Sequence, residues 1–178
     1  MGNITSIERN AFNNCNRLCS ITLQDCLENL EECAFWNCEF VESITLPAKI
    51  TSIENDLAHN CFKLVNFTIL GNITSIGMTV FLNDHKLLSI IIPSSCESIG
   101  YRTFTNCNSF TTMIIPEKVT IIASDLFQYC YNLSSITILG NITSIGDYSF
   151  DYCSSLTSFD IAESVTSIGK GAFIACHS

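Results

Sequence analysis

Positive charge is scarce: Lys and Arg number 8 against 17 Asp and Glu, leaving a formal charge of −9. With no basic run anywhere, nucleic acid and anionic membrane surfaces are poor partners on electrostatic grounds, and no nucleic-acid partner is expected. Long apolar runs are also missing, and the longest fall far short of the ~20 residues a membrane helix requires, so no membrane insertion is expected. No basic start followed by an apolar stretch opens the chain, so no secretory signal is read there. Glycines are solitary apart from Gly169 and Gly171, which leaves no phosphate-cradling loop. Histidine occurs only as His59, His85 and His177. Asp84 and His85 are adjacent, but neighbouring side chains seldom face each other, and no nucleophile stands beside them. The many Ser and Thr hydroxyls have no base to activate them. The chain is read as no enzyme, with no cofactor.

What is abundant is order. Cys15, Cys38, Cys61, Cys107, Cys130, Cys153 and Cys176 fall on one 23-residue comb, and Asp84 fills the missing tooth. The first apolar position of each unit is Ile4, Leu27, Ile50, Ile73, Cys96, Val119, Ile142 and Val165, without insertion. A comb this regular means one small unit copied in tandem, seven full copies and a partial eighth over residues 1–178 as a single solenoid domain. Within a unit, Leu-x-x-Ile-x-Ile alternates at its end and is rich in Ile and Thr, which predicts a short strand. Ile7, Phe12 and Cys15 are spaced more like a helical or 3₁₀ turn, and Ile4 to Ile7 can form a second extended segment. No unit buries its apolar face alone, whereas stacked copies share a core. Parallel strands ~4.8 Å apart would give eight coils a length of roughly 35–40 Å. Gly77, Gly100, Gly146 and Gly169 follow the second Ile of their units and are read as corners with unusual backbone angles. Pro47, Pro93 and Pro116 end strands.

These residues carry a resemblance. Asn141 to Ile161, NITSIGDYSFDYCSSLTSFDI, resembles the BspA-like leucine-rich repeat of the Treponema type, and the likeness covers essentially the whole chain. It implies a leucine-rich-repeat right-handed superhelix, here an α/β repeat solenoid. Each coil would have one parallel strand and a short helical, 3₁₀ or extended return. Ala58 replaces the unit's Phe, Asp84 its Cys, and Leu27-Glu-Asn-Leu30 its Ile-Thr-Ser-Ile; these departures weaken single rungs. A longer period overlies the short one: Gly-Asn-Ile-Thr-Ser-Ile recurs at Gly2, Gly71 and Gly140, three units apart. Duplication of a three-coil cassette is the simplest reading; a ligand contacted at every third coil is the functional alternative. The chain enters and leaves mid-array without polar caps, as expected of a fragment of a longer repeat protein or of ends that associate head to tail.

Eleven cysteines invite disulfide or zinc readings. The comb places seven beside Phe, and Cys96 takes an Ile/Val slot, so buried, unbridged thiols are expected. Cys19, Cys26 and Cys33 lack the paired spacing and the nearby His of a zinc site. Asn3, Asn66, Asn72, Asn132 and Asn141 are glycan acceptor sequons if the chain is secreted, although Asn3, Asn72 and Asn141 are copies of one repeat position.

Two surfaces are candidates for binding. The outward strand positions form a hydroxyl-rich ladder, and Val65, Thr68, Leu88, Ile91, Thr111, Ile114 and Thr137 give its middle an apolar strip that a protein partner could cover. Without a partner the same ladder is simply β-compatible. Asp25, Glu28, Glu31, Glu32, Glu39 and Glu42 crowd one unit-length window as an acidic patch, a solvated edge or a dock for a basic partner. The leading function is a non-catalytic protein-interaction module. Surface association and attachment are implied by the resemblance alone. An intracellular scaffold or regulatory subunit is the alternative, favoured by the absent leader and the plentiful thiols; the compartment, cell surface or cytoplasm, stays open.

Overall fold

The computed structural model describes residues 3–176. Gly2, His177 and the termini Met1 and Ser178 lie outside the described residues. The coils are numbered 1 to 8 from the first apolar positions Ile4, Leu27, Ile50, Ile73, Cys96, Val119, Ile142 and Val165. In chain order the strands are β1 (Ser6–Ile7), β2 (Asn29–Leu30), β3 (Ser43–Leu46), β4 (Ser52–Ile53), β5 (Asn66–Ile69) and β6 (Ser75–Ile76). They continue as β7 (Ser98–Ile99), β8 (Thr112–Ile115), β9 (Ile121–Ile122), β10 (Ser135–Ile138), β11 (Ser144–Ile145) and β12 (Ser167–Ile168). Each coil thus has a short two-residue strand, Ser-Ile in all but coils 2 and 6, as the second extended segment required, and coils 2, 3, 5 and 6 add a longer one. The longer strands alternate as the sequence demands: Ile44 and Leu46 are buried while Ser43 and Thr45 face out. All pairing is parallel and shifts by one repeat, as in Ser43 to Asn66 and Thr112 to Ser135.

The helical return is not there. Among the described residues there is no helix, so the architecture is a β-solenoid of parallel turns rather than an α/β one. Two positions per coil explain it. Asn14, Asn37, Asn60, Asn83 and Asn106 hold φ near +60°, and so do Cys33, Asp56, Thr79, Arg102 and Asp125 four residues before the next such site. A left-handed residue every fourth position stops any α-helical run. Alternate N–H groups are freed to point along the stack. Cys33, Phe35 and Asn37 donate to the carbonyls of Asn55, Leu57 and His59 in the next coil, and Tyr148, Phe150 and Tyr152 do the same at the far end. Three such bonds close every junction from coil 1 to coil 8. This turn column is the continuous spine of the molecule.

The two strand columns, by contrast, are interrupted in a three-coil rhythm. Short strands pair as β1–β2, β4–β6–β7 and β9–β11–β12, leaving the 2/3 and 5/6 junctions open. Long strands pair as β3–β5 and β8–β10, at those same two junctions. Every junction is therefore zipped along one side and lacks a ladder on the other, where the 3/4 junction keeps the single Asn66–Ser89 bridge. Lys49–Glu28 and Lys118–Glu97, 69 residues apart, tie the last residue of coils 2 and 5 to the second residue of the same coil. Coils 1, 4 and 7 have no long strand at all, and these are the coils opened by the Gly-Asn-Ile-Thr-Ser-Ile copies.

Ladders fill the core. Phe81, Phe104, Phe127, Phe150 and Phe173 stack with centroids 5.2–5.6 Å apart, each contact contributing about 0.5–1.5 kcal/mol beyond area burial. Ala58 breaks this stack, and Phe67 of the same coil turns edge-on to Phe81 at 4.7 Å in its stead. The thiols of Cys61, Cys107, Cys130 and Cys153 donate to the carbonyl of the Phe in the preceding coil at 3.0–3.3 Å. Cys96 is fully buried, as its Ile/Val slot required. The corner glycines serve a different purpose from the one expected. Gly77, Gly100, Gly146 and Gly169 do not take left-handed angles; a Cβ on Gly100 would meet the Gly77 carbonyl oxygen at 2.6 Å. Close approach of successive backbones, not an unusual corner, excludes a side chain there.

Candidate binding surface

Alternation along the long strands settles which residues face out. Thr68, Leu88, Ile91, Thr111, Ile114 and Thr137 are exposed, with Ile91 at 86% and Leu88 and Ile114 near 56–57%, whereas Val65 is half-buried. Thr45 sits opposite Thr68, and Ile114 opposite Thr137, on paired strands. Leu88 and Ile91 belong to coil 4, whose segment Ser89–Ile92 is tied to β5 by one bridge, Asn66 to Ser89. The face is thus two two-stranded sheets flanking a loose central rung that carries its most exposed apolar side chain.

Backbone direction builds a groove beside each sheet. Gly71 and Gly140 lie so close to the preceding coil that a Cβ would fall 2.5 Å from the Ala48 oxygen and 2.0 Å from that of Glu117. Leu70 and Leu139 extend strand pairing to Leu46 and Ile115 at 3.1 Å, drawing coils 3 and 6 toward the preceding coil and away from the next. A cleft of about 240 Å³ opens between β5 and Ser89–Ile91. Its counterpart of about 420 Å³ lies between β10 and Ser158–Asp160, floored by Ile142, Ile145 and Val165. Both clefts use equivalent residues 69 positions apart, a consequence of the longer period that one strand pattern per unit did not disclose.

The acidic window does not form one patch. Glu28 is paired with Lys49, Glu32 lies 3.4 Å from Arg9, and Glu31 accepts the Arg9 amide at 2.9 Å. Glu28 and Glu31 border a cleft by the short strands with Glu8 and Glu54, and Glu31 and Glu32 border a second one with Arg9 and Glu54; Glu8 and Glu54 lie outside the crowded window in sequence and were missed for that reason. Glu42 precedes a long strand, Asp25 occupies a turn and Glu39 follows the thiol corner, so the structure does not bring them to the others. No group of three or more His, Cys, Asp or Glu among the described residues converges on a cation position.

Polar order elsewhere is structural. Asn37, Asn60, Asn83 and Asn106 each donate a side-chain N–H to the amide oxygen of the Asn one coil earlier, at 2.8–2.9 Å. The Asn comb that builds this ladder is visible in the sequence and escaped notice beside the thiols. His59 Nδ1 lies 2.9 Å from Asp56 Oδ1, but the Thr79 hydroxyl donates to that same carboxylate rather than to the imidazole. His85 stacks on Phe62 at 5.8 Å, its Nδ1 3.0 Å from the Asn106 carbonyl oxygen, while Asp84 is fully buried behind it. Among the described residues the Nδ1 contacts of these two histidines are with a carboxylate and a carbonyl rather than with a hydroxyl or thiol.

The family model described as BspA type leucine-rich repeat region (6 copies) matches residues 1–100 and 74–178. The chain belongs to the BspA-type leucine-rich repeat family. Among solved structures, this family member is similar to a leucine rich cell surface protein from Faecalibacterium prausnitzii A2-165, at 30% identity and TM-score 0.78. That match covers 84% of this chain and 41% of the other, so the repeats here span about two fifths of that protein's length. A leucine-rich repeat protein of T. pallidum aligns at 25% identity and TM-score 0.81, over 89% of this chain and 76% of that one. The pneumococcal vaccine antigen PcpA shares the fold alone, at 15% identity and TM-score 0.54, covering 85% of this chain and 36% of its own. No curated protein sequence matches the chain. Among the described residues no helix is long and apolar enough to cross a membrane.

Proposed function

We propose that this BspA-type array is a non-catalytic module that binds a protein ligand on its long-strand side, at a cell surface. The observation that carries the reading is the exposure of Leu88, Ile91 and Ile114 on neighbouring coils of a face otherwise rich in hydroxyls. Apolar side chains that each leave half or more of their surface in water gain most from a partner that covers them. Repeat arrays use such side-by-side rungs as extended recognition surfaces. The likeness to a leucine rich cell surface protein supports the location, and the sequon residues Asn3, Asn66, Asn72 and Asn141 are exposed, as glycan addition would require, while the Asn132 side-chain N–H donates to the Asn108 carbonyl. The Asp56–His59 pair, whose hydroxyl neighbour serves the carboxylate, supports the absence of catalysis.

The test is capture of surface ligands by the folded chain against a Leu88→Glu, Ile91→Glu, Ile114→Glu variant. All three side chains point to solvent, so the variant keeps its circular dichroism while its capture falls at least roughly tenfold. Capture equal to wild type by the folded variant removes this face from the function.

A further inference from the structure

We infer that the cleft beside β10 takes an extended, cationic polypeptide segment as an added parallel or antiparallel strand. This deepens the protein-binding reading and rests on it. β10 pairs with β8 on one edge only, and no backbone hydrogen bond joins its other edge to Ser158–Ile161. The N–H groups of Ser135 and Leu139 point back to the carbonyls of Thr111 and Ile115, at 3.3 and 3.1 Å. Strand alternation therefore turns the N–H groups of Ile136 and Ile138 into the cleft, ready for a carbonyl partner.

The cleft floor is apolar and under-covered. Ile136, Ile138, Phe159 and Val165 are only half-buried, whereas Met113 and Ile115, one coil before Ile136 and Ile138, are 3% and 0% exposed. An added strand with apolar residues at alternate positions would cover them. Charge selects the rest of the occupant: Asp160 lines the cleft, Glu163 is exposed beyond it, and no Lys or Arg occurs between Lys118 and Lys170. A basic residue of the incoming segment would meet Asp160. A related edge lies three coils earlier, where Asn66 and Leu70 donate to Glu42 and Leu46 and alternation turns the Ile69 N–H to the other side, but there the Asn66–Ser89 bridge already ties the edge to the next coil. There Ile91 replaces Asp160, so that cleft favours an apolar residue at the equivalent place. The two clefts lie roughly 14 Å apart along the stack.

The test uses the full chain and a labelled octapeptide of alternating Thr and Ile with Lys at both ends. Fluorescence anisotropy reads binding, and amide hydrogen exchange reads its position. Strand addition slows exchange at Ile136 and Ile138 at least roughly tenfold, and Asp160→Lys weakens binding by roughly tenfold. A peptide N-methylated at alternate amides along its pairing edge does not bind. The variant carrying Glu at positions 88, 91 and 114 retains protection at Ile136 and Ile138, because its changes lie on the neighbouring face. Unslowed exchange at these two amides, or indifference to N-methylation, overturns strand addition. Loss of binding in the triple variant with no effect of Asp160→Lys also overturns it, yet leaves the face reading standing. Protection of the same amides by the chain's own concentration-dependent association, without peptide, assigns the cleft to a second copy and overturns the proposal.

Discussion

Asp84 takes a thiol's place in the ladder, and its surroundings disfavour its charged form. It is fully buried, its Oδ1 accepts the Cys61 amide at 2.8 Å, and its Oδ2 has no partner. Burial pushes its acid well above the usual carboxylate range, only partly opposed by the Cys61 amide. The flanking thiols of Cys61 and Cys107 are raised by burial too, so no charge nearby favours ionisation. The sign follows from linkage. Below about pH 4 both folded and unfolded chains carry the proton; above it the unfolded chain releases its proton and the folded one does not. Stability then falls by about 1.4 kcal/mol per pH unit until the native group itself ionises. Asp84→Cys restores the ladder and removes that slope, so its gain in urea midpoint is larger at pH 8 than at pH 5. Equal gains at both pH values would refute the neutral acid. The thiols yield a second expectation. Burial lifts Cys130 to about 12 and Cys38 to about 11, while Cys19 is exposed. Native iodoacetamide treatment at pH 8 labels Cys19 well before Cys107, Cys130 or Cys153, read by peptide mass, because only the thiolate reacts. Equal labelling of ladder and exposed thiols would count against a closed core.

At the scale of the element, strands were legible and the turn column was not. Leu-x-x-Ile-x-Ile and Ser-Ile announce themselves by alternation and β-branched residues, and both became strands where a neighbour lies close enough to pair. The Ile-Phe-Cys spacing mimics a helix because apolar residues five and three apart suit one helical face. What overrides it is the pair of left-handed residues per coil. One of the two positions accepts Asn in five coils and reads as a turn signal; the other holds Cys33, Thr79, Arg102 and Tyr148, which no propensity scale would place there. Their angles are imposed by the three spine bonds at each junction, a non-local demand that residue type does not encode. The Asn ladder is testable at Asn60, which donates to Asn37 and accepts from Asn83. Asn60→Gly keeps the left-handed angle and loses the bonds, costing about 1–3 kcal/mol; Asn60→Ala adds roughly 1 kcal/mol of backbone strain. Equal urea midpoints for the two variants would show that the angle is not enforced. The candidate face was legible residue by residue, since alternation points Thr68, Leu88, Ile91 and Ile114 outward. Its division by coil 4 was not, because Ser89–Ile92 has an unremarkable strand pattern, and only the Gly71 corner one coil away explains why the rung stands loose.

For the whole molecule, the effective repeat is the three-coil cassette. The spine is uniform, but junctions 2/3 and 5/6 zip on the long-strand side and the remaining ones on the short-strand side. Interfaces are therefore of different kinds, and stability in a linear array is a sum over coils and their interfaces. Duplicating residues 73–141 joins Asn141 to a second Ile73, which regenerates Gly-Asn-Ile-Thr-Ser-Ile at the seam and copies every interface in order. Duplicating residues 73–95 alone places two coils without a long strand side by side and leaves Ser95 where Asn72 should precede Ile73. The cassette insertion is expected to raise the urea midpoint and to keep a single cooperative transition. The one-coil insertion is expected to gain nothing or to lose stability, since its new junction lacks long-strand pairing and an Asn-Ile-Thr-Ser seam. A one-coil insertion that gained a third of the cassette's increment would show all junctions to be interchangeable. The longer period would then record ancestry alone, rather than the alternate zipping that leaves a cleft at every third coil.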